Sequence, residues 1–512
     1  MSKFKPTNKC LLRRLFANKR WSTVFARLFT LFLTILAGAT FAQQKPNVIV
    51  IYIDDLGYGD LSCYGATKIN TPNVDLLAKQ GLKFTNGHTT SATCTPSRYA
   101  LMSGEYPWRQ KGHNILPGDA ALILSTSTIS LPKVFKAAGY QTGIVGKWHL
   151  GLGDKITKDW NGDISPGPNE IGFDYSFIFP ATADRVPTVF MENHRVIGLE
   201  KTDSIVVSYQ KKVGDEPTGK ENPELLKLDA SHGHNSTIVN GIGRIGFMKG
   251  GKKARWTDEE LAPTFLTKAM EYIEKNQKKP FFLYYALNDI HVPRMPATMF
   301  KGKSQMGYRG DVILEMDWAV GQITKQLDQL GLTKNTIIIF SSDNGPVLDD
   351  GYADEAIAKL NGHLPAGSLR GGKTSVYEGG TRVPFIVSWP GKIKPGKSDA
   401  LINQVDLLAS FASYFKIPIK KGEAGDSENH FAALTGNEKL GRKIMIEEGV
   451  NNLAIVKDDW KYIAPFGKNA DQLYNLKTDI GEKDNLAAKY PEKINELKSL
   501  LSEAMDRAEH LN

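Results

Sequence analysis

Two kinds of hydrophobic pattern alternate along this chain. Segments 47–53, 280–287 and 335–340 are unbroken apolar runs, largely β-branched or aromatic. Such runs predict strands buried on both faces, the habit of parallel sheets. Between them lie helical spacings. One is opened by Thr71-Pro72 and closed by Gly81, and one spans 131–139; a third spans 258–275 with Pro263 in its first turn. A fourth, 311–330, lines up Ile313, Met316, Val320, Ile323, Leu327 and Leu330 on one stripe before Gly331. Strands at 141–145 and 383–389 complete the alternation. It predicts an α/β domain over residues 43–440, a large and mostly parallel central sheet flanked by helices. Residues 151–255 break the pattern with Gly, Pro, Asn and charge, and read as long insertions over the sheet, where specificity resides. From 441 the chain changes to short strand-like runs at 443–447, 453–456, 460–463 and 472–475, then a charged helix at 491–508. This predicts a smaller C-terminal α+β domain, 441–512, of antiparallel sheet plus helix.

Charge changes this picture at one end only. The formal net charge is +9 over 512 residues, but Lys3, Lys5, Lys9, Arg13, Arg14, Lys19, Arg20 and Arg27 all lie in 1–42, which holds no acid. The body is close to neutral, so bulk charge points to no nucleic-acid partner. The basic leader runs into an apolar stretch at 28–42 and small residues at Ala39 and Ala42, the layout of a cleaved signal peptide spanning 1–42. Its apolar core is shorter than the roughly 20 residues that span a bilayer. The expectation is an exported protein, periplasmic or extracellular, without stable membrane insertion. Cys10 leaves with the leader, so Cys63 and Cys94 remain; no disulfide framework is expected, and Cys94 is available for chemistry.

Candidate chemistry gathers around Cys94-Thr95-Pro96-Ser97-Arg98. Pro96 suits the first position of a helix and Gly104 its stop, which puts Cys94 and Arg98 at an N-terminus that favours an anion. A thiol there has a depressed pKa and is reactive; the plainer alternative is a small buried cysteine beside a proline cap. Asp54-Asp55 end the first apolar run, at the strand end where α/β sites form. Lys147 and His149 are two apart and share a face of extended backbone. His291 leaves one strand, Asp343-Asn344 end another, and Lys373 lies in a glycine-rich loop. Asp54, Asp55, Asp343 and Asn344 offer only oxygen, which selects Ca²⁺ or Mg²⁺ over zinc. Arg98, Lys147 and Lys373 are fixed cations, and His149 and His291 can move protons. Cation, bases and nucleophile together describe attack on a tetrahedral oxyanion ester. His232-Gly233-His234 alone is a weak metal signal.

These motifs resemble the type I, formylglycine-dependent sulfatases of the alkaline phosphatase superfamily. The resemblance rests on Asp54-Asp55-Leu56-Gly57, the Cys94 pentapeptide, Gly146-Lys147-Trp148-His149-Leu150-Gly151, His291-Val292-Pro293, Asp343-Asn344-Gly345 and Gly371-Gly372-Lys373. They follow in the family's order over roughly 45–390, and Leu473-Tyr474-Asn475-Leu476 with Glu482 and Asn485-Leu486 looks like its C-terminal domain. The resemblance implies that a maturing enzyme oxidises Cys94 to Cα-formylglycine, whose hydrate is the nucleophile. Asp54, Asp55, Asp343, Asn344 and the modified Cys94 would bind Ca²⁺, with Mg²⁺ as the alternative. Arg98 and Lys147 would hold the diol and sulfate oxygens. His291, with Lys373 alongside, would protonate the leaving alcohol, and His149 would take the proton that releases sulfate.

The stretch 302–311 and the residues Asn361-Gly362-His363 and Pro365-Ala366-Gly367 resemble the N-acetylgalactosamine-6-sulfatase-like carbohydrate sulfatases. That implies a sulfated glycan substrate with a 6-O-sulfate on galactose or N-acetylgalactosamine, Asp184 and His234 contacting the sugar. The rivals are a formylglycine-dependent phosphonate or phosphodiester hydrolase and, with Cys94 unmodified, a sulfated-glycan binder.

Overall fold

The structure, a computed structural model, describes residues 45–110, 114–155 and 158–509. The expected signal peptide, 1–42, and the last residues of the expected C-terminal domain, 510–512, lie outside the described residues. The principal sheet has ten strands: β1 (Asn47–Ile53), β2 (Gly81–Phe84), β3 (Gln141–Lys147), β4 (Tyr175–Phe179), β5 (Met191–Glu192), β6 (Arg195–Val196), β7 (Phe281–Ala286), β8 (Thr336–Ser342), β9 (Phe385–Ser388) and β10 (Gly396–Ser398). Their spatial order is β10-β2-β9-β8-β1-β7-β3-β4-β5-β6. The five central strands, β8-β1-β7-β3-β4, are all parallel. The strand read at 383–389 is β9, antiparallel to β8. The sheet is therefore mixed, mostly parallel, and flanked by helices as expected.

The unbroken apolar runs are explained by what covers each face. In β1, Val48, Val50 and Tyr52 enter one core with α2 (Cys94–Ser103), α3 (Leu131–Ala137) and α6 (Leu407–Phe415). Ile49, Ile51 and Ile53 enter the other, with α1 (Pro72–Gln80), α4 (Leu261–Asn276) and α5 (Gly307–Gln329). Each large apolar side chain so buried contributes about 1.5–3 kcal/mol. Two helix starts differ from the sequence reading. The helix α2 begins at Cys94, so Pro96 is its third residue and still occupies a first-turn position that needs no N–H donor. The helix α5 begins at Gly307, four residues early. Among the described residues no helix is long and apolar enough to cross a membrane.

The chain's end forms a four-stranded antiparallel sheet, β11 (Ile444–Glu448), β12 (Leu453–Lys457), β13 (Trp460–Ile463) and β14 (Gln472–Asn475), followed by α7 (Pro491–Glu509). One face packs on Ile494, Leu497 and Leu501 of α7 and on Ala100 of α2. The other packs on Val376, and there Lys461 is fully buried. Its ammonium lies 2.8 Å from Glu378, 3.0 Å from Glu447 and 3.4 Å from Glu482. Glu447 also meets His88 at 2.8 Å. The edge strand β11 bonds the segment leading into Cys94, through Ala92 N to Glu448 O at 2.8 Å and Glu448 N to Thr90 O at 2.9 Å.

Removing the Lys461 ammonium takes away the cation shared by three buried carboxylates, leaving Glu378 only Arg382 and Glu447 only His88. Lys461→Met is therefore expected to destabilise the protein by about 3–5 kcal/mol in chemical denaturation. A loss under about 1 kcal/mol would show that the carboxylates are neutral in the folded chain.

Candidate active site

Four adjacent parallel strands deliver the site. Asp54 and Asp55 follow β1, Asp343 and Asn344 follow β8, Lys147 ends β3 with His149 two residues on, and His291 lies beyond β7. Parallel strands end on the same side, so residues 289 apart in sequence become neighbours: Asn344 Nδ2 donates to Asp55 Oδ1 at 2.7 Å. The helix α2 presents Cys94 at its first residue and Arg98 one turn later. The close packing depends on two glycines. A Cβ on Gly345 would fall 1.8 Å from the Gly379 carbonyl oxygen, and one on Gly146, at φ +118, 1.8 Å from that of Ala286. Asp55 and His149 hold φ of 62° and 54°, backbone that costs a non-glycine residue about 1–3 kcal/mol and clusters at functional sites.

The core is dry and charged. Asp54, Asp55, Asp343, Asn344, Arg98, Lys147 and His149 are each 0% exposed. Arg98 donates to Asp343 Oδ2 through Nε at 3.0 Å and Nη2 at 2.8 Å, and Lys147 Nζ contacts Asp54 Oδ2. Lys373 Nζ lies 3.0 Å from Asp55 Oδ2 and 2.7 Å from Asp350 Oδ2. Burial, then the neighbouring Asp343, pushes the Asp54 carboxyl well above the usual range. Burial also works to raise Asp343, but Arg98, Lys147 and the hydrogen bonds from neighbouring groups together outweigh it and bring its pKa to about 2.

The donor set fits a hard divalent cation. Asp54 Oδ1 and Asn344 Oδ1 are buried oxygens with no hydrogen-bond partner, and Asp55 and Asp343 stand beside them. An unpaired buried oxygen is costly unless something positive faces it. The four groups offer oxygen only, the preference of Ca²⁺ and Mg²⁺.

Cys94 corrects the reactive-thiolate expectation. It is 1% exposed, and burial pushes its pKa up despite Lys147 and Lys373 acting to lower it. Burial therefore disfavours the thiolate that a direct attack by the unmodified cysteine would need. Cys63 sits apart, partly exposed, and both cysteines are unbridged.

The two histidines differ in what they face. His149 Nε2 meets the Leu116 carbonyl at 2.9 Å and so carries the proton; Nδ1 is buried without a partner and keeps its lone pair. Burial, then Lys147 and Arg185, hold its pKa well below the ordinary value of 6.5. His291 Nδ1 donates to the Val292 carbonyl at 2.7 Å, turning Nε2 toward Asp55 and Asp350 at 3.9 and 3.8 Å. Its pKa is also lowered, by burial, Lys373 and Lys147. Burial disfavours the Lys373 ammonium, but Asp55 and Asp350 outweigh it and hold its pKa well above the lysine value.

Asp184 and His234 pair with each other at 2.9 Å rather than standing free, and His232 is exposed, 3.7 Å from Asp349. Three features escaped the sequence reading. Asp350 faces both Lys373 and His291, and Arg185 is bound to Asp184. Asp60 anchors the Asp54–Asp60 loop by an ion pair to Arg309 and a hydrogen bond with His363, each at 2.7 Å. The signal for the last lay in 302–311 and 361–363, which stood out as carriers of a resemblance, with no structural role given to Arg309 or His363.

Comparison with known proteins places this geometry. The sulfatase family model matches residues 46–417. An N-acetylgalactosamine-6-O-sulfatase of Bacteroides thetaiotaomicron is 53% identical over 480 residues, 91% of this chain and 94% of that protein. Human arylsulfatase A is 32% identical over 395 residues, 76% of this chain and 68% of that protein. A solved Bacteroides thetaiotaomicron structure, from work on the metabolism of multiple glycosaminoglycans, superposes with a TM-score of 0.89. It is 52% identical, covering 91% of this chain and all of that one.

A histidine kept neutral by the fold makes stability depend on pH with a definite sign. Below pH 6.5 the unfolded chain protonates His149 and the folded chain does not, so stability falls as pH drops from 6.5 toward 5. His149→Gln removes that term. The wild-type minus variant difference in unfolding free energy is expected to shift toward the variant by up to about 1.4 kcal/mol per pH unit there. A difference independent of pH would mean that His149 is charged in the folded protein.

Proposed function

We propose, from the premise that this chain belongs to the sulfatase family, that it is an exported carbohydrate sulfatase acting on 6-O-sulfated galactose or N-acetylgalactosamine. It is a sulfuric ester hydrolase. The observation that carries the catalytic reading is a buried cysteine, 1% exposed, set among oxygen ligands and fixed cations at the helix start. Such a residue makes sense as a precursor. The sugar assignment is supported by 53% identity to an N-acetylgalactosamine-6-O-sulfatase over nearly the whole of both chains.

On this reading Asp54, Asp55, Asp343, Asn344 and the converted Cys94 would hold Ca²⁺, which supplies fixed positive charge to an incoming oxyanion and favours an ionised oxygen nucleophile. Conversion to formylglycine, by a maturing enzyme, replaces the buried thiol with an aldehyde whose hydrate carries two hydroxyls. The protein's own groups do the rest. Arg98 and Lys147, locked to Asp343 and Asp54, keep their donors where the sulfate oxygens come to lie, with no reorganisation during the reaction. Lys373 keeps its proton at neutral pH beside His291, so the pair can deliver one to the departing sugar oxygen. His149 has the opposite equipment: neutral, with Nδ1 free to accept. The buried Asp184–His234 pair would lie beside the sugar that bears the ester. The basic, apolar leader at 1–42 supports export.

Cys94→Ala is expected to lower kcat/KM on a sulfate monoester by about 10⁴-fold or more, and chelation with EDTA to lower both activity and Tm, because buried carboxylates lose their counter-charge. Turnover by Cys94→Ala within tenfold of wild type would overturn the mechanism. A panel of 6-, 4-, 3- and 2-O-sulfated galactose, N-acetylgalactosamine and N-acetylglucosamine tests the substrate. Desulfation of the 6-sulfates of the two galacto-configured sugars is expected, and desulfation confined to N-acetylglucosamine or to a 2- or 4-sulfate would remove the assignment.

A further inference from the structure

One cation near Cys94 has no part in the mechanism above. Arg185 lies in the chain after β4, and its Nη1 reaches Thr182 Oγ1 at 2.7 Å and the two oxygens of Asp184 at 2.9 and 3.0 Å. His234 Nε2 meets Asp184 Oδ2 at 2.9 Å, and His234 Nδ1 meets the His232 carbonyl at 2.9 Å. Both ring nitrogens face acceptors, so the imidazole is doubly protonated and pairs with Asp184 as a cation. Asp184 then takes a hydroxyl, a guanidinium and an imidazolium, and has no acceptor left for a ligand. Neither Asp184 nor His234 has a free polar atom, and their side chains are 3% and 7% exposed.

Arg185 differs. Its side chain is 17% exposed, and none of the described hydrogen bonds uses its Nε or Nη2. Asp184, which it grips, meets His234, and His234 packs against Gly351 next to Asp350, so the guanidinium lies toward the Asp350 loop of the site and its charge is felt at His149. The support is built with care. Ser231 N donates to Gly351 O at 3.0 Å and Ala353 N to Asp229 O at 2.8 Å, tying the His234 loop to the loop of Asp350. A Cβ on Gly351, at φ +105, would fall 1.7 Å from His234 Nδ1. The glycine is what lets the imidazole sit under Asp184.

We propose that Arg185 is the specificity-determining contact for the sugar that bears the ester, its Nε and Nη2 donating to neutral hydroxyl or ring oxygens, while Asp184 and His234 position it. Neutral oxygens fit better than a second anion for two reasons. Asp184 already balances the guanidinium, and the Asp350 carboxylate, about a third exposed and close enough for Arg185 to feel its charge, disfavours further negative charge. The sulfate itself falls to Arg98, Lys147 and Lys373. A planar fork of two donors matches adjacent ring oxygens in a way a lysine cannot. This inference rests on the carbohydrate sulfatase reading.

The test uses Arg185→Gln, Arg185→Lys, His234→Gln and the Arg185→Gln/His234→Gln double variant in the full-length enzyme, each first checked by thermal melting. Two quantities are read: kcat/KM on the sulfated sugar that wild type cleaves fastest, and the inhibition constant of inorganic sulfate. Loss of charge-assisted hydrogen bonds predicts a roughly 10- to 150-fold fall in kcat/KM for Arg185→Gln. Arg185→Lys should keep the charge and still fall, which carries the test if the glutamine variant does not fold. Sulfate inhibition should stay within about threefold. The double variant should be no worse than Arg185→Gln, because His234 acts through Arg185. Unchanged sugar turnover, sulfate inhibition weakened in parallel, or losses that multiply in the double variant would each overturn the proposal. Wild type that cleaves no sulfated sugar would instead remove the reading beneath it.

Discussion

Asp54, Asp55 and Asp343 are carried to one point by parallel strands and taken fully out of water, and the fold must balance them there. Arg98 and Lys147 answer two from within the core, and Lys373 reaches the third while also meeting Asp350. With all four carboxylates ionised, as a bound cation would favour, three cations leave the cluster one charge negative. A divalent cation at the unpartnered oxygens of Asp54 and Asn344 would turn that into a single positive charge. That is the complement of a sulfate monoester, which carries one negative charge. The same balance explains the neutral histidines, since burial among fixed cations leaves no room for another.

Holding so many charges dry requires rigid supports, and the architecture supplies them at several levels. The central strands are anchored by two apolar cores on opposite faces. The turns after them are fixed by contacts only glycine allows, as at Gly345. The C-terminal sheet is part of this support. Lys461 ties Glu378 to Glu447, and Glu378 starts the helical turn whose Gly380 carbonyl accepts from Gly345 N at 2.9 Å. Thr374 N donates to the Ala92 carbonyl at 2.7 Å, joining the Lys373 loop to the approach to Cys94. Loosening the C-terminal sheet would therefore loosen the catalytic loops.

Much of this was legible in the residues because parallel strands announce themselves. Unbroken apolar runs ending in Asp54-Asp55 and Asp343-Asn344 mark buried strands whose ends must meet, and Cys94 before a proline-containing turn marks a helix start. The α/β architecture with a mostly parallel sheet and a small C-terminal sheet could be read the same way. What stayed hidden depends on long-range partners. Lys461 sits in an alternating strand where a lysine normally faces water, and its three glutamates lie up to 83 residues away. Arg185 and Asp350 belong to loops without periodicity, and only the pairing of those loops shows which side chain is spent and which is free. The cysteine was half legible. Its place at a helix start was readable, but that burial would raise its pKa against Lys147 and Lys373 required the packed environment.

The central claim is that Cys94 is a precursor whose converted form is the nucleophile. High-resolution mass measurement of the tryptic peptide ending at Arg98, taken from a preparation with measured sulfatase turnover, tests it most directly. The account predicts that the active fraction has lost one sulfur and two hydrogens and gained one oxygen at Cys94, the composition of an aldehyde. An intact thiol throughout a fully active preparation would contradict it.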